Sequence, residues 1–199
     1  MTEITLTEDE KDVLQELMNI AYGNATAIVA EMLEAFATLS IPKIEILQTR
    51  ELLQEFANKK SKSYFFSTQA FIGEFSGETA FFINEESANN LSKHLELESE
   101  EDLDDAILEL TNVLTSSLTT RLAQEMGVEV SFALPSISKV PLNDLDKIAA
   151  FQIYSQVIVI ETELNFKDQK INADIFILTK DGSIQWLKKQ LNSILEDLM

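Results

Sequence analysis

Asp12, Glu16 and Asn19 stand at i, i+4 and i+7 in this 199-residue chain, and Pro42 follows Asn19 by 23 positions. On a helix turning about 100° per residue, the three polar side chains fall within an arc of about 60°. Asp105, Glu109 and Asn112 repeat the spacing, and Pro135 again follows by 23. All four pairs share one offset of 93 positions, as from Asp12 to Asp105. A carboxamide can both donate to and accept from a water molecule without adding charge, and a carboxylate one turn away can pair with a cation. The common alternatives are missing. The chain has no cysteine and a single histidine, His94, read as a helix-surface residue. It has no Ser/His/Asp set, Cys/His pair or glycine-rich phosphate loop, and the expectation is no metal site. Glu and Asn alone equip an enzyme poorly, unless it completes a site that a partner brings.

The elements that must present these residues are legible from periodicity and caps. The first helix is expected from about Thr7 to Thr38. Thr7 and Glu10 have capping-box spacing, with Glu8 and Asp9 in the first turn, and Leu14, Leu17, Ala21, Ala25, Ile28 and Met32 form the apolar stripe. Pro42 opens an extended segment to Gln48. The second long helix is expected from about Glu100 to Met126, capped by Ser99 and ended by Gly127. Its core face is Leu103, Ile107, Leu110, Leu114 and Leu118, with Arg121 interrupting. One turn past each Asn stand the small residues Gly23 and Ser116. A mid-helix glycine costs about 1 kcal/mol against alanine, so Gly23 points to a packing or docking reason.

Phe65 to Phe75 and Glu78 to Ile83 read as strands turning at Ser76-Gly77, followed by a helix from Glu85 to Leu95. A short helix is expected within Arg50 to Lys60. In the second half, Val128 to Leu134 reads as a strand leading into Pro135. Ile148 to Phe166 and Lys170 to Leu178 read as strands turning at Lys167-Asp168, and a last helix runs from about Gly182. Each half is thus a helix, three strands and a closing helix. The expected fold is α+β: a pseudo-twofold duplicated unit with long helices packed on a mostly antiparallel six-stranded sheet. The expected organisation is a single domain of two homologous halves, about 1–98 and 99–199, with the seam in the acidic segment Glu96 to Asp102.

The formal charge of −19 disfavours nucleic acid and anionic membranes as partners. The acidic N-terminus carries no secretory pattern, and no stretch approaches the 18 to 20 or so apolar residues of a membrane span. Together with the absence of cysteine, this places the expected protein in the cytoplasm.

The pattern, Asp or Ser, then Glu four residues on, Asn three further and Pro after 23 more, resembles the signature of the CheC/CheX/FliY response-regulator phosphatases. The match holds at every signature position in both copies. In length and in its two copies the chain is similar to CheC rather than to the shorter, usually one-copy CheX. The resemblance implies a chemotaxis signal-transduction hydrolase acting on the aspartyl-phosphate of a CheY-like regulator. It assigns Asn19 and Asn112 to orienting the attacking water, and Glu16 and Glu109 to contacting the regulator's lysine. Asp12 and Asp105 are expected to hold neighbouring side chains or the partner, and Pro42 and Pro135 to fix the turn into the next strand. It implies no cofactor on this chain, with Mg2+ on the regulator, and a monomer in which duplication supplies what a dimer of one-copy chains would. CheC relatives bind the receptor deamidase CheD, which the resemblance admits as a second partner. The competing expectation is a non-catalytic module docking a regulator, CheD or a flagellar-switch component. The middle domain of FliM shares the fold and resembles that case, but lacks the signature.

Overall fold

The computed structural model describes residues 4–57, 63–141, 156–179 and 181–197. Helix α1 spans Glu8–Met32, and its start is the expected capping box. The Glu10 N–H donates to Thr7 Oγ1 at 3.2 Å, and the Thr7 N–H donates to Glu10 Oε2 at 2.7 Å. The second long helix, here called α4 (Glu100–Glu125), starts the same way, with Ser99 and Asp102 in reciprocal bonds. Each box satisfies N–H groups that a helix start leaves without partners.

Between and around these helices lie β1 (Thr38–Leu39), β2 (Lys43–Gln48), α2 (Thr49–Ala57), β3 (Ser63–Gly73), β4 (Gly77–Asn84) and α3 (Glu85–His94). After α4 come β5 (Val130–Phe132), β6 (Ser136–Pro141), β7 (Gln156–Phe166), β8 (Ile171–Thr179) and a final helix α5 (Asp181–Asp197). The strands form one sheet in the order β1-β7-β8-β4-β3-β5, with β2 also on β7 and β6 also on β3. Every pairing among the described residues is antiparallel.

The sheet therefore has six strand positions, as expected, but each edge position is filled by two successive segments. The single strand expected at Val128–Leu134 is only β5. Pro135 follows, and β6, which the sequence reading missed, then pairs with β3. The edges match between halves. Lys43 faces Glu161 as Ser136 faces Thr68, and Thr38 faces Asn165 as Ser131 faces Ile72, each at the offset of 93. Strands β4 and β8 join the halves in one ladder, with Phe81 opposite Ile175.

The main core lies between the sheet and the helices. On α4 it takes Leu103, Ile107, Leu110, Leu114 and Leu118, as expected, and Leu122 continues the stripe. Arg121 lies beside it, paired with Glu125. On α1 the buried stripe is rotated from the expected one. Met18, Tyr22 and Val29 join Leu14, Leu17, Ala21 and Ala25, while Ile28 is 38% exposed. On the opposite sheet face a smaller cluster, with Phe66, Phe82 and Phe176, lies with the buried Leu52 of α2.

Helix α1 stops six residues before its expected end. Glu34 takes a left-handed backbone, φ 46, and the Ala35 N–H reaches back to the Ala30 carbonyl at 3.0 Å. The same turn ends α4 at Gly127, φ 68, which stands 93 positions after Glu34. Only Gly127 was readable, because glycine enters this region freely and glutamate does not. His94 helps to hold the irregular end. Its half-buried Nε2–H donates to the Leu33 carbonyl at 2.7 Å, so it is a capping residue rather than a bare surface one.

The remaining differences are small. Helix α5 begins at Asp181, β8 begins at Ile171 because Lys170 (φ 56) belongs to the turn, and α2 begins at Thr49, one residue before its expected range. Residues 58–60 of that range and 148–155 of the expected strand lie outside the described residues.

Candidate functional site

Helix α4 packs along α1, and both rest on the sheet. Asp12, Glu16 and Asn19 are exposed on α1, and Asp105 and Glu109 are exposed on α4, with Asn112 half-buried. The 3.6-residue period puts them on the helix side away from Leu14 and Leu110, the first and second core stripes.

On α4 the signature residues meet. Asp105, Glu109, Asn112 and Pro135 line one groove of about 500 Å3, together with Gln69, Leu108 and the Phe132–Leu134 loop. On α1 the arrangement differs. The groove there, of about 510 Å3, is lined by Asn19, Tyr22, Gly23, Thr26 and the loop from Phe36 to Ile41. It extends toward the C-terminal half of the helix, so Glu16 and Asp12 stand outside it. Pro42 is buried just behind the loop. In both halves an exposed apolar residue precedes the proline: Ile41 is 73% and Leu134 is 93% exposed.

Gly23 has no packing reason among the described residues. A Cβ there would meet nothing within 4 Å, so the glycine keeps the α1 groove open beside Asn19. Its counterpart Ser116 lines a different, more polar groove between the two helices, with Asn24 and Arg121.

The two loops are anchored to the sheet in parallel ways. The Ser40 N–H donates to the Glu163 carbonyl, and the Ala133 N–H to the Ala70 carbonyl, each at 3.0 Å. The loop carbonyls are then bound from the core side of the sheet. Thr162 Oγ1–H donates to the Ser40 carbonyl at 2.8 Å. Gln69 Nε2–H donates to the Ala133 carbonyl at 2.8 Å, and Gln69 stands 93 positions before Thr162. Gln69 also donates to Asn112 Oδ1 at 2.9 Å. Asn19 has no such partner among the described residues. The sequence reading missed Gln69. Its signal was a polar residue in the inward register of β3, between Phe65 and Phe71, where an apolar one is the rule.

The electrostatics next to the α4 signature are acidic. Partial burial, then the neighbouring Glu100 and Asp105 carboxylates, hold the Asp104 carboxyl above its ordinary value, against the pull of Lys139. In the α1 groove, burial pushes the Tyr22 hydroxyl well above the ordinary tyrosine range, so it stays neutral. Among the described residues no group of three or more acidic or histidine side chains is placed to hold a metal ion. No helix among the described residues is long and apolar enough to cross a membrane.

No protein-family model and no curated protein matches the chain. Solved structures do. Thermotoga maritima FliY matches with a TM-score of 0.77 at 15% identity, over 96% of this chain and 99% of that one. The FliM middle domain from H. pylori matches at 0.61 and 15%, over 93% and 99%. The chemotaxis protein CheX from Desulfovibrio desulfuricans matches at 0.54 and 14%, over 82% and 99%. The helices, the six-position sheet and these likenesses give this chain the fold of the CheC/CheX/FliY chemotaxis and flagellar-switch proteins.

Proposed function

We propose that this chain is a phosphatase for the aspartyl-phosphate of a CheY-like response regulator. The observation that carries the proposal is the duplicated Glu/Asn pair. Glu16 with Asn19 and Glu109 with Asn112 stand one turn apart on two helices, each Asn beside a groove walled by a loop that runs into a proline. The matching edge registers of the two halves repeat this arrangement rather than the helix spacing alone.

The chemistry asked of these residues is modest. Water attacks phosphorus, the bond from phosphorus to the aspartyl oxygen breaks, and the products are the free carboxylate and inorganic phosphate. Such a transfer depends on positioning and charge stabilisation. Asn19 or Asn112 would orient the water, since an uncharged amide accepts from it without repelling the phosphoryl oxygens. Glu16 or Glu109 would contact a lysine of the regulator. The phosphoryl group, that lysine and Mg2+ come with the regulator, and no cofactor is assigned to this chain. Ile41 and Leu134, apolar and exposed at the loop tips, suit contact with a protein surface better than with a small ligand. In this reading the chain is a single domain with two half-sites, working as a cytoplasmic monomer.

The test is the decay of a CheY-like receiver domain phosphorylated with acetyl phosphate. Decay should accelerate with the wild type, less with Asn19→Ala or Asn112→Ala, and not with the double substitution. No acceleration by the wild type rejects the enzyme. Full acceleration by the double variant rejects the residue assignment. A complex that forms but leaves the decay unchanged or slower marks a docking module, the reading that likeness to the FliM middle domain would favour.

A further inference from the structure

Gln69 is only 2% exposed, and its Oε1 has no hydrogen-bond partner among the described residues. A buried amide with an unmet acceptor costs stability, which a core selected for packing alone would avoid. Its other end is fully used. The Ala133 carbonyl can only accept, so the end of Gln69 facing it must be the NH2 group. That same NH2 group meets Asn112, so Asn112 must turn its Oδ1 inward. The orientation of both amides is therefore set by one backbone carbonyl.

We infer that Gln69 is the positioning residue of the α4 site, holding the Asn112 carboxamide in one orientation before the substrate arrives. This role rests on the phosphatase reading of Asn112. With Oδ1 anchored, both Nδ2–H donors and the second Oδ1 lone pair are left for the occupant of the groove. A group held this way loses little rotational freedom in the transition state. The α1 site lacks the device. Thr162, at the equivalent strand position, binds the Ser40 carbonyl as Gln69 binds that of Ala133, but it makes no bond to Asn19. The two sites thus share their signature and differ in what stands behind the Asn.

The test isolates each site by removing the other Asn. Gln69→Thr places at 69 the residue type found at 162 and keeps a donor for the Ala133 carbonyl. Gln69→Met, of similar length without the amide, is the second variant should the first fold poorly. In the Asn19→Ala background, where only the α4 site works, kcat for the phosphorylated receiver should fall about tenfold, the effect of a misplaced reacting group. KM should not change, since buried Gln69 does not touch the regulator. In the Asn112→Ala background neither constant should move. An unchanged kcat in the first background overturns the role, as does an equal fall in both backgrounds, which marks a structural effect, or a change confined to KM. If the unsubstituted protein does not accelerate decay, the phosphatase reading itself fails, before any Gln69 variant is made, and takes this role with it.

Discussion

At the α4 groove, Asp105, Glu109 and Asn112 face one cleft and Asn112 is tied through Gln69 to the loop behind it. At the α1 groove, Asn19 has no hydrogen-bond partner among the described residues and stands at one end of a cleft that runs the other way along its helix. The signature is identical, yet its neighbours differ at almost every equivalent place. Gly23 answers to Ser116, Thr162 to Gln69, Glu34 to Gly127, and Glu10 to Leu103. Ala21 and Ala25 answer to Leu114 and Leu118. Duplication preserves spacing, because spacing sets which helical face a residue occupies. It does not preserve packing, because each half packs against the other half rather than against a copy of itself.

The largest expected break in the comparison is in the core. Leu118 is fully buried, and Leu118→Ala should cost about 3 kcal/mol through lost burial and a residual cavity. Ala25→Leu, which makes α1 look like α4, should cost about 2 kcal/mol by overpacking. Urea denaturation would measure both, and a neutral Ala25→Leu would mean that the two helices tolerate the same residues.

Next comes the helix start that only α1 ties to α5. Buried Glu10 accepts from Asn192 Nδ2–H at 2.8 Å and pairs with Lys188 at 3.2 Å. Burial works to raise its carboxyl, but the Thr7 N–H, Asn192 and Lys188 outweigh it and hold the carboxyl below its ordinary value. The stabilisation is therefore complete above the ordinary glutamate value and is lost as pH falls through the depressed one. Glu10→Ala should cost about 2 kcal/mol at neutral pH. Melting curves taken at falling pH should show the gap between variant and wild type closing. A gap constant down to strong acid would show that the charge contributes nothing.

The smallest effects are at the helix ends. Gly127→Ala should cost about 1 kcal/mol, since a Cβ there meets no atom within 4 Å and only the left-handed backbone resists it. Glu34→Gly should stabilise by up to about 1 kcal/mol for the same reason with the opposite sign. Thermal denaturation of the pair tests whether the two helix ends are one motif. Equal signs would show that they are not.

The sequence by itself determined both long helices, their capped starts, the Gly127 stop, both hairpins and the face on which each Asp/Glu/Asn set lies. These follow from interactions within about four residues, or from alternation along one strand, and residue order states such distances directly. It misjudged the end of α1 because Glu34 has no intrinsic preference for the turn it makes. That stop is completed by His94, 61 residues away. It missed β6 because pairing with β3 is decided across the sheet. It assigned Asn112 a role from spacing alone. Only the tertiary structure brought Gln69 to it from 43 residues away and gave Asn19 no equivalent bond from Thr162, since a hydrogen bond between two strangers in sequence exists only once the sheet has been assembled beneath the helix.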